Sequence, residues 1–545
     1  MILDLCRSPE TDNADPIPCD SKIDVTMPGA LPVTVNIGLF IEGDGLITDI
    51  SVHSLDTTLS RMKSIFTKTP HTFRFILPVT YGTEEDIVKT ILSCNFWKEN
   101  SPPELLFFRL KYDAGILTEP LFEDTPYEIC EISPEFKTFG YDPVSMAITE
   151  YSSLVIIIGT GPETAGNDGK NAYSLAKRYG RSVVSIDSKT GRITELPSND
   201  NIFNSYAQIN FYNSKNVKPA KFIAEKERYI KNLEHDLRAA GFEEGAITFS
   251  YESLLSHYIK VRTLETRYNF LYALKGVTIA LLSALAIFTI TMQTLFFPEN
   301  PGLIWIEVAF IGVIIILMEA AKVGDFHLKS IDYTFLAERI RTAFYTRIIC
   351  ISCQTTDTAP FMTPVRTPND WMVMAFETMV SSGRMISCNR EVPLESIREF
   401  IISAWIRKRL NFYEKKADVA RFRYNVLANF ALILFICTMI LAIAHALGIG
   451  HGQKLFDIGV PLFIAFLSIT IPAFGAAVSA IRVQREYFRK SERYSQIIRH
   501  LSAVITEMEY ATDTGELCNL IKKMNEMTFR EAHDWKIVSR CIDTE

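Results

Sequence analysis

Apolar and polar positions alternate in two textures along this chain. The second half holds four long apolar runs. Residues 276–297, 425–447 and 458–481 contain no Asp, Glu, Lys or Arg. A fourth run, 303–318, carries Glu307 alone and is shorter, reaching the same length only if it extends to about Lys322. A helix needs roughly 20 apolar residues to cross the hydrocarbon core, so the pattern predicts four membrane-spanning helices. The short stretch "PENPG" joins the first two into a tight hairpin, and "GIGHGQKLFD" joins the last two.

Around these runs the apolar residues recur at three- and four-residue steps, with charges on the other faces. "YESLLSHYIKVRTLETRYNFLYALKG" and "LESIREFIISAWIRKRLNFYEKKADVARFRYN" read as helices entering the first and third spans, and "RVQREYFRKSERYSQIIRHLSAVITEMEYA" as one leaving the fourth. Lys and Arg crowd the same flanks. Lys260, Arg262, Arg267 and Lys275 precede the first span, and Arg482, Arg485, Arg489 and Lys490 follow the fourth. "PENPG" has no basic residue and the second tip has only Lys454. The positive-inside bias therefore predicts a plasma or inner membrane protein with both hairpin tips outside and both termini in the cytoplasm.

The first half has short β-rich runs instead: "VTVNIGLFI", "TFRFILPV", "ELLFFRL", "SLVIIIG" and "RSVVSID", separated by helical patterns such as "LDTTLSRMKSIF" and "EEDIVKTILSCNF". Strands alternating with helices predict a parallel sheet. The expected fold is an α/β Rossmann-like parallel-sheet domain followed by an all-α, four-span transmembrane domain with long cytoplasmic helices. The expected divisions are an N-terminal extension (1–32), the α/β domain (33–215), a helical linker or stalk (216–275), the first hairpin (276–322), a cytoplasmic helical segment (323–424), the second hairpin (425–481) and C-terminal cytoplasmic helices (482–545).

Composition narrows the function classes. The net charge is −7 and 48% of residues are hydrophobic, so no basic excess points to nucleic acid. The ten cysteines are scattered, which fits reduced thiols better than a disulfide scaffold. The opening residues lack a basic region followed by an apolar core, and predict no secretory signal. Cys350-x-x-Cys353 with Cys388 supplies too few ligands for structural zinc, so packed thiols are expected. His533 and Asp534 have no nucleophile motif beside them.

Candidate binding chemistry lies in two glycine-bearing loops at strand ends. "FIEGDG" ends the first strand, offering Glu42, Gly43 and Gly45. "GTGPETAGNDGKN" follows the later one, offering Gly159, Thr160, Gly161, Gly166, Asp168, Gly169, Lys170 and Asn171. Glycines let the backbone expose its amides, a helix start near Lys170 adds free N–H groups, and Lys170 can pair with phosphate. Glu42 or Asp168 can accept from a ribose hydroxyl. In open α/β sheets ligands sit beyond the strands' carboxyl ends, where chain order reverses. A plain surface turn is the alternative, and no GxxxxGK[ST] is present.

In the order "VNIGLFIEGDG", "FILPVTYGTEEDI", "YDPVSMAITEYSSLVIIIGTGPETAGNDGKNAYSLAKRYGRSVVSID", residues 33 to about 190 resemble the SLOG superfamily, named for Smf/DprA and LOG proteins. The branch most similar has a nucleoside-deoxyribosyltransferase-like core, and the domain of melastatin-type TRP channels is related. "IEG" and "DGKNA" stand where family members carry G-H-R-like and G-G-T-like stretches. The P-G-G-x-G-T-x-x-E motif of LOG phosphoribohydrolases is absent, so the resemblance implies a nucleotide-derived ligand that is bound rather than cleaved, with no further cofactor. The lines "IDYTFLAERIRTAFYTR", "LESIREFIISAWIRKRLNFYEKKA" and "IPAFGAAVSAIRVQREYFRKSERYSQIIRHLSAVITEME" resemble the SLATT-like membrane modules of bacterial defence operons, which usually have two spans where this chain has four. Together the resemblances imply a membrane effector of antiviral defence, homo-oligomeric, gated by a nucleotide or cyclic nucleotide. A membrane-tethered enzyme acting on nucleotides or nucleosides, and an ion channel or transporter with a structural soluble domain, stay open.

Three polar features of the helical half complete the expectations. Glu307 either lines a water path or reaches the outer interface. Thr289, Thr291 and Gln293 either line a polar path or, the more ordinary use, serve hydrogen bonds between helices. Glu338 and Arg341 form a surface i,i+3 pair.

Overall fold

The computed structural model describes residues 28–41, 48–79, 84–110, 127–132, 142–159, 172–196, 202–242, 252–353, 370–381, 393–455 and 458–527. Two compact units emerge, the first formed by residues 1–221 and 364–384, the second by 222–363 and 385–545.

The first unit is the α/β domain. Its elements are β1 (Val33–Ile41), α1 (Asp49–Ile65), β2 (His71–Pro78), α2 (Glu84–Ser93), β3 (Glu104–Leu110), β4 (Tyr127–Ile132), α3 (Pro143–Tyr151), β5 (Leu154–Gly159), α4 (Ala172–Arg178), β6 (Ser182–Asp187), β7 (Ile193–Leu196) and α5 (Ile202–Ser214). The strands form one sheet in the order β4-β3-β2-β1-β5-β6-β7, parallel except for β7, which pairs antiparallel with β6. The five expected strands are β1, β2, β3, β5 and β6. The two edge strands, β4 and β7, are additional.

Leu154, Val155, Ile156 and Ile158 of β5 are fully buried, as a central parallel strand covered on both faces requires. Right-handed crossovers carry α1 from β1 to β2 and α4 from β5 to β6 in opposite directions, so the two helices cover opposite faces. On α1 the buried positions Leu55, Leu59 and Met62 follow the helical period. α3 packs on the other face through Ala147 and Ile148, in a cluster with Ile76, Leu106 and Phe108. α5 is locked down by Asn213, which exchanges hydrogen bonds with the backbone of Leu31 (2.8 and 3.0 Å), and by Tyr206, whose hydroxyl meets Ser153 Oγ at 2.9 Å.

The second unit is helical apart from a short antiparallel ladder, Lys454–Leu455 with Ile458–Gly459, in the tip of the second hairpin: α6 (Pro219–Ala239), α7 (Glu252–Phe296), α8 (Ile304–Gly324), α9 (Phe326–Cys353), then, after α10 (Trp371–Ser381), α11 (Leu394–Phe400), a π-helical turn (Ile401–Arg407), α12 (Lys408–Ala446), α13 (Val460–Gln484) and α14 (Tyr487–Glu509). A last helix covers residues 514–527. α10 is the exception in this run, because it packs on α5 and belongs to the α/β unit.

Among the described residues, four helices are long and apolar enough to cross a membrane, and the apolar runs of α7, α8, α12 and α13 carry that property. The second span runs from Ile304 to Gly324, so it reaches full length. The two hairpins are built alike. A long continuous helix (α7, α12) enters the span, a turn reverses it, and a second span (α8, α13) returns. The chain then breaks at a non-glycine residue in the left-handed region, Asp325 (φ 46°) or Glu486 (φ 49°), and a further helix (α9, α14) packs back along the long one.

Candidate functional site at the sheet switch point

The strand order reverses between β1 and β5. Chain order runs outward from β1 to β4 on one side, then resumes at β5 on the other. β1 and β5 are adjacent and parallel, in register with Ile41 opposite Ile158, so their carboxyl ends stop side by side. This is the crevice where open α/β sheets take ligands. The two glycine-bearing loops leave the sheet from these two ends.

Described groups frame that edge. Gly159 ends β5, and its carbonyl accepts from Ser188 N at 2.8 Å. The Ser188 carbonyl in turn accepts from Thr48 Oγ1 at 2.8 Å. Thr48 is the N-cap of α1, its hydroxyl also accepting from Ser51 N, so the 17-residue α1 directs its first turn toward the same edge. Asp187, the last residue of β6, accepts from the backbone N–H groups of Thr190 (3.0 Å) and Lys189 (2.8 Å), which hold its exposed carboxyl below the usual aspartate range. Gly191 follows in the left-handed region at φ 69°, and a Cβ there would strike Ile50 of α1. The turn after β6 and the start of α1 are therefore built against each other. Sequence reasoning passed over Thr48, Asp187 and Ser188; their signal was an N-cap residue and a D-S-K-T-G turn placed at strand ends.

Of the expected site residues, Gly159 is described, as the last residue of β5. Glu42, Gly43, Gly45, Thr160, Gly161, Gly166, Asp168, Gly169, Lys170 and Asn171 lie outside the described residues. The helix expected near Lys170 is described from Ala172 onward.

In the helical unit the picture differs from the expectation at Glu338 and Arg341. They do form an i,i+3 ion pair, but their side chains are only 19% and 18% exposed. The reason is position: α12 passes here, and Arg409, 3% exposed, donates from Nη2 to Glu338 Oε2 at 2.9 Å. Arg262 and Glu265 of α7 pair close by. Burial pushes Glu338 upward, but Arg341, Arg409, Arg262 and Arg493 outweigh it and hold the carboxyl below the ordinary glutamate value. At Glu265 burial prevails over Arg262 and the carboxyl is raised. Among the described residues, Nε and Nη1 of Arg409 have no hydrogen-bond partner. The π-helical turn just before Arg409 sets Trp405 against Tyr345, with rings stacked 5.1 Å apart at 8°, and Tyr345 OH meets Tyr229 OH at 3.4 Å. Four helices are thus tied by one buried charged and aromatic cluster.

Within the spans, Glu307 sits in the first turn of α8, half-buried, where free backbone N–H groups favour an acid. Thr289 and Thr291 donate to Leu285 O (2.8 Å) and Ile287 O (2.7 Å) of their own helix rather than across helices.

Comparisons of this chain with protein-family models, curated proteins and solved structures find no match.

Proposed function

We propose that this protein is a membrane-embedded effector, a SLOG-like sensor joined to SLATT-like spans. Its α/β unit binds a nucleotide-derived signal at the switch point, and the bound state gates or drives membrane permeabilisation in bacterial antiviral defence. The observation that carries this reading is the adjacency of β1 and β5 at the reversal of strand order, since both glycine-bearing loops depart there. Backbone amides freed by Gly43, Gly45, Gly159 and Gly161 receive phosphate oxygens, Lys170 adds a cation, and Glu42 or Asp168 accepts from the ribose. No carboxylate has the spacing of the LOG catalytic motif, which favours binding over cleavage. The ligand shifts the spans by its differential affinity for two states of the protein. Both hairpin tips face outward and both termini lie in the cytoplasm in this reading.

The test is calorimetric titration of the full chain in nanodiscs with a panel of nucleotides and cyclic nucleotides, followed by dye release from vesicles with each binder. Gly161→Trp blocks backbone approach and Lys170→Glu repels phosphate, the latter most at low salt. A ligand that binds both variants as tightly as the unsubstituted chain places the cleft elsewhere.

A further inference from the structure

The two hairpins share sequence as well as shape. At one constant spacing, Glu252, Ser256, Ile259 and Arg262 of α7 recur as Glu399, Ser403, Ile406 and Arg409 around the start of α12. Without a gap, Ala284, Leu285, Phe288, Thr291 and Met292 recur as Ala431, Leu432, Phe435, Thr438 and Met439. After the left-handed residues Asp325 and Glu486, Lys329, Ser330 and Tyr333 recur as Lys490, Ser491 and Tyr494. Local bonding repeats too. Thr334 Oγ1 donates to Ser330 O at 2.7 Å, and Ser495 Oγ donates to Ser491 O at 3.0 Å. Tyr333 packs on Tyr268 of α7, and Tyr494 on Tyr413 of α12, with ring centroids 5.6 and 5.5 Å apart. The helical unit thus reads as a tandem pair of one two-span module.

The two modules meet asymmetrically. The second span of the second module, α13, packs on the first span of the first module, α7. Phe466 anchors that seam against Phe288 and Phe296, with centroids 5.3 and 5.2 Å away. Among the described residues the reciprocal surfaces are left uncovered. α8 has no buried residue, and the apolar windows of α8 and α12 are each only 6% buried, against 22% for α7 and α13. Counting back from the left-handed breaks, the residue equivalent to Phe466 is Trp305 of α8, which is 74% exposed. The positions equivalent to Phe288 and Phe296 are Phe435 and Ile443 of α12, 45% and 52% exposed. A seam between non-identical faces of equivalent units propagates until it closes.

We propose that α8 of one copy of this chain packs on α12 of a second copy as α13 packs on α7 within the chain, with Trp305 inserted against Phe435 and Ile443. The occupant is a second copy because the chain itself supplies both halves of the seam and already uses its counterpart once. Closure into a ring of hairpins places the uncovered spans inside the assembly. The inference rests on the membrane reading of the four helices, not on the ligand.

The test uses the full chain in its native membrane, in a Cys437→Ser background. Trp305→Cys combined with Ile443→Cys should give oxidant-dependent interchain bands at least fivefold above either single variant. Native mass spectrometry without nucleotide should show an oligomer that Trp305→Ala reduces at least tenfold and Trp305→Phe, the residue at the equivalent place in α13, retains. Interchain bands no stronger than in the single variants, or an oligomer indifferent to Trp305→Ala, overturns the proposal and returns Trp305 to the aromatic belt of the outer interface. Both readouts are ligand-free, so failure of nucleotide binding leaves them unaffected.

Discussion

Glu338 answers to four arginines at once, and its neutralisation should show it. Glu338→Gln leaves Arg341 and Arg409 buried without their carboxylate, and should cost about 3–5 kcal/mol in detergent unfolding. Glu319→Gln, which removes an exposed pair with Lys322, should stay within about 0.5 kcal/mol. The pH dependence has a definite sign. Because the Glu338 carboxyl is lowered, its contribution is present above the unfolded glutamate pKa and is lost as pH falls through the lowered folded value. His257, on the part of α7 that precedes the apolar run, adds to the acid sensitivity. Burial first, then nearby Lys260, lowers its imidazole from 6.5 to about 4, so the native state holds it neutral. Stability is lost as pH drops from 6.5 toward 4, by up to about 3 kcal/mol. His257→Gln should flatten the fall in melting temperature between pH 7 and pH 5; an unchanged fall would assign the acid sensitivity to other groups.

Among the elements, β1 and the helix breaks make the sharpest demands. Gly38 in β1 faces α3 so closely that a Cβ would meet Ser152 Oγ and Ile148. Ser152 Oγ is itself committed to Ile148 O at 2.6 Å, so Gly38→Val should destabilise the α/β unit by about 1–3 kcal/mol, seen as an earlier thermal transition. Asp325→Val and Glu486→Val put β-branched residues in the left-handed region and should each cost about 1–2 kcal/mol, whereas Asp325→Gly and Glu486→Gly should be tolerated. Much of this architecture was legible beforehand. β5 announces itself as an unbroken apolar run because both its faces are covered. β4 and β7 did not, because edge strands carry charge: Glu131 of β4 pairs with Arg109 of β3, and Glu195 of β7 with Arg61 of α1. The switch-point edge was legible as two glycine-bearing strand ends, since local chemistry marks such ends. The charged cluster was not, because Arg409 and Glu338 are distant in sequence and only the packing of α12 makes an apparent surface pair a buried one. The module repeat is written in the sequence, but conservative exchanges such as Tyr258 for Trp405 hide it until the two left-handed breaks supply a common origin.

For the whole molecule, the charge asymmetry across the spans predicts sidedness. A cysteine introduced at residues 298–302 should react with an impermeant maleimide applied outside intact cells, and one at 188–192 should react only after permeabilisation. Reaction of both from one side would reject the four-span hairpin arrangement.

The chain path adds a constraint of another kind. α10 lies in sequence between the two membrane modules yet belongs to the α/β unit, with Trp371, Met372, Phe376 and Met379 buried there. The polypeptide therefore passes between the units three times, near residues 221, 363 and 384. No single cut can free the α/β unit intact. A fragment ending before α7 would lack α10 and uncover the surface of α5 that it occupies. A protease would have to nick the connections on both sides of α10 as well as the one before α6. The same threading harnesses the α/β unit to each hairpin module separately, so a strain arising in the sheet has a covalent route to both hairpins and need not travel through one to reach the other.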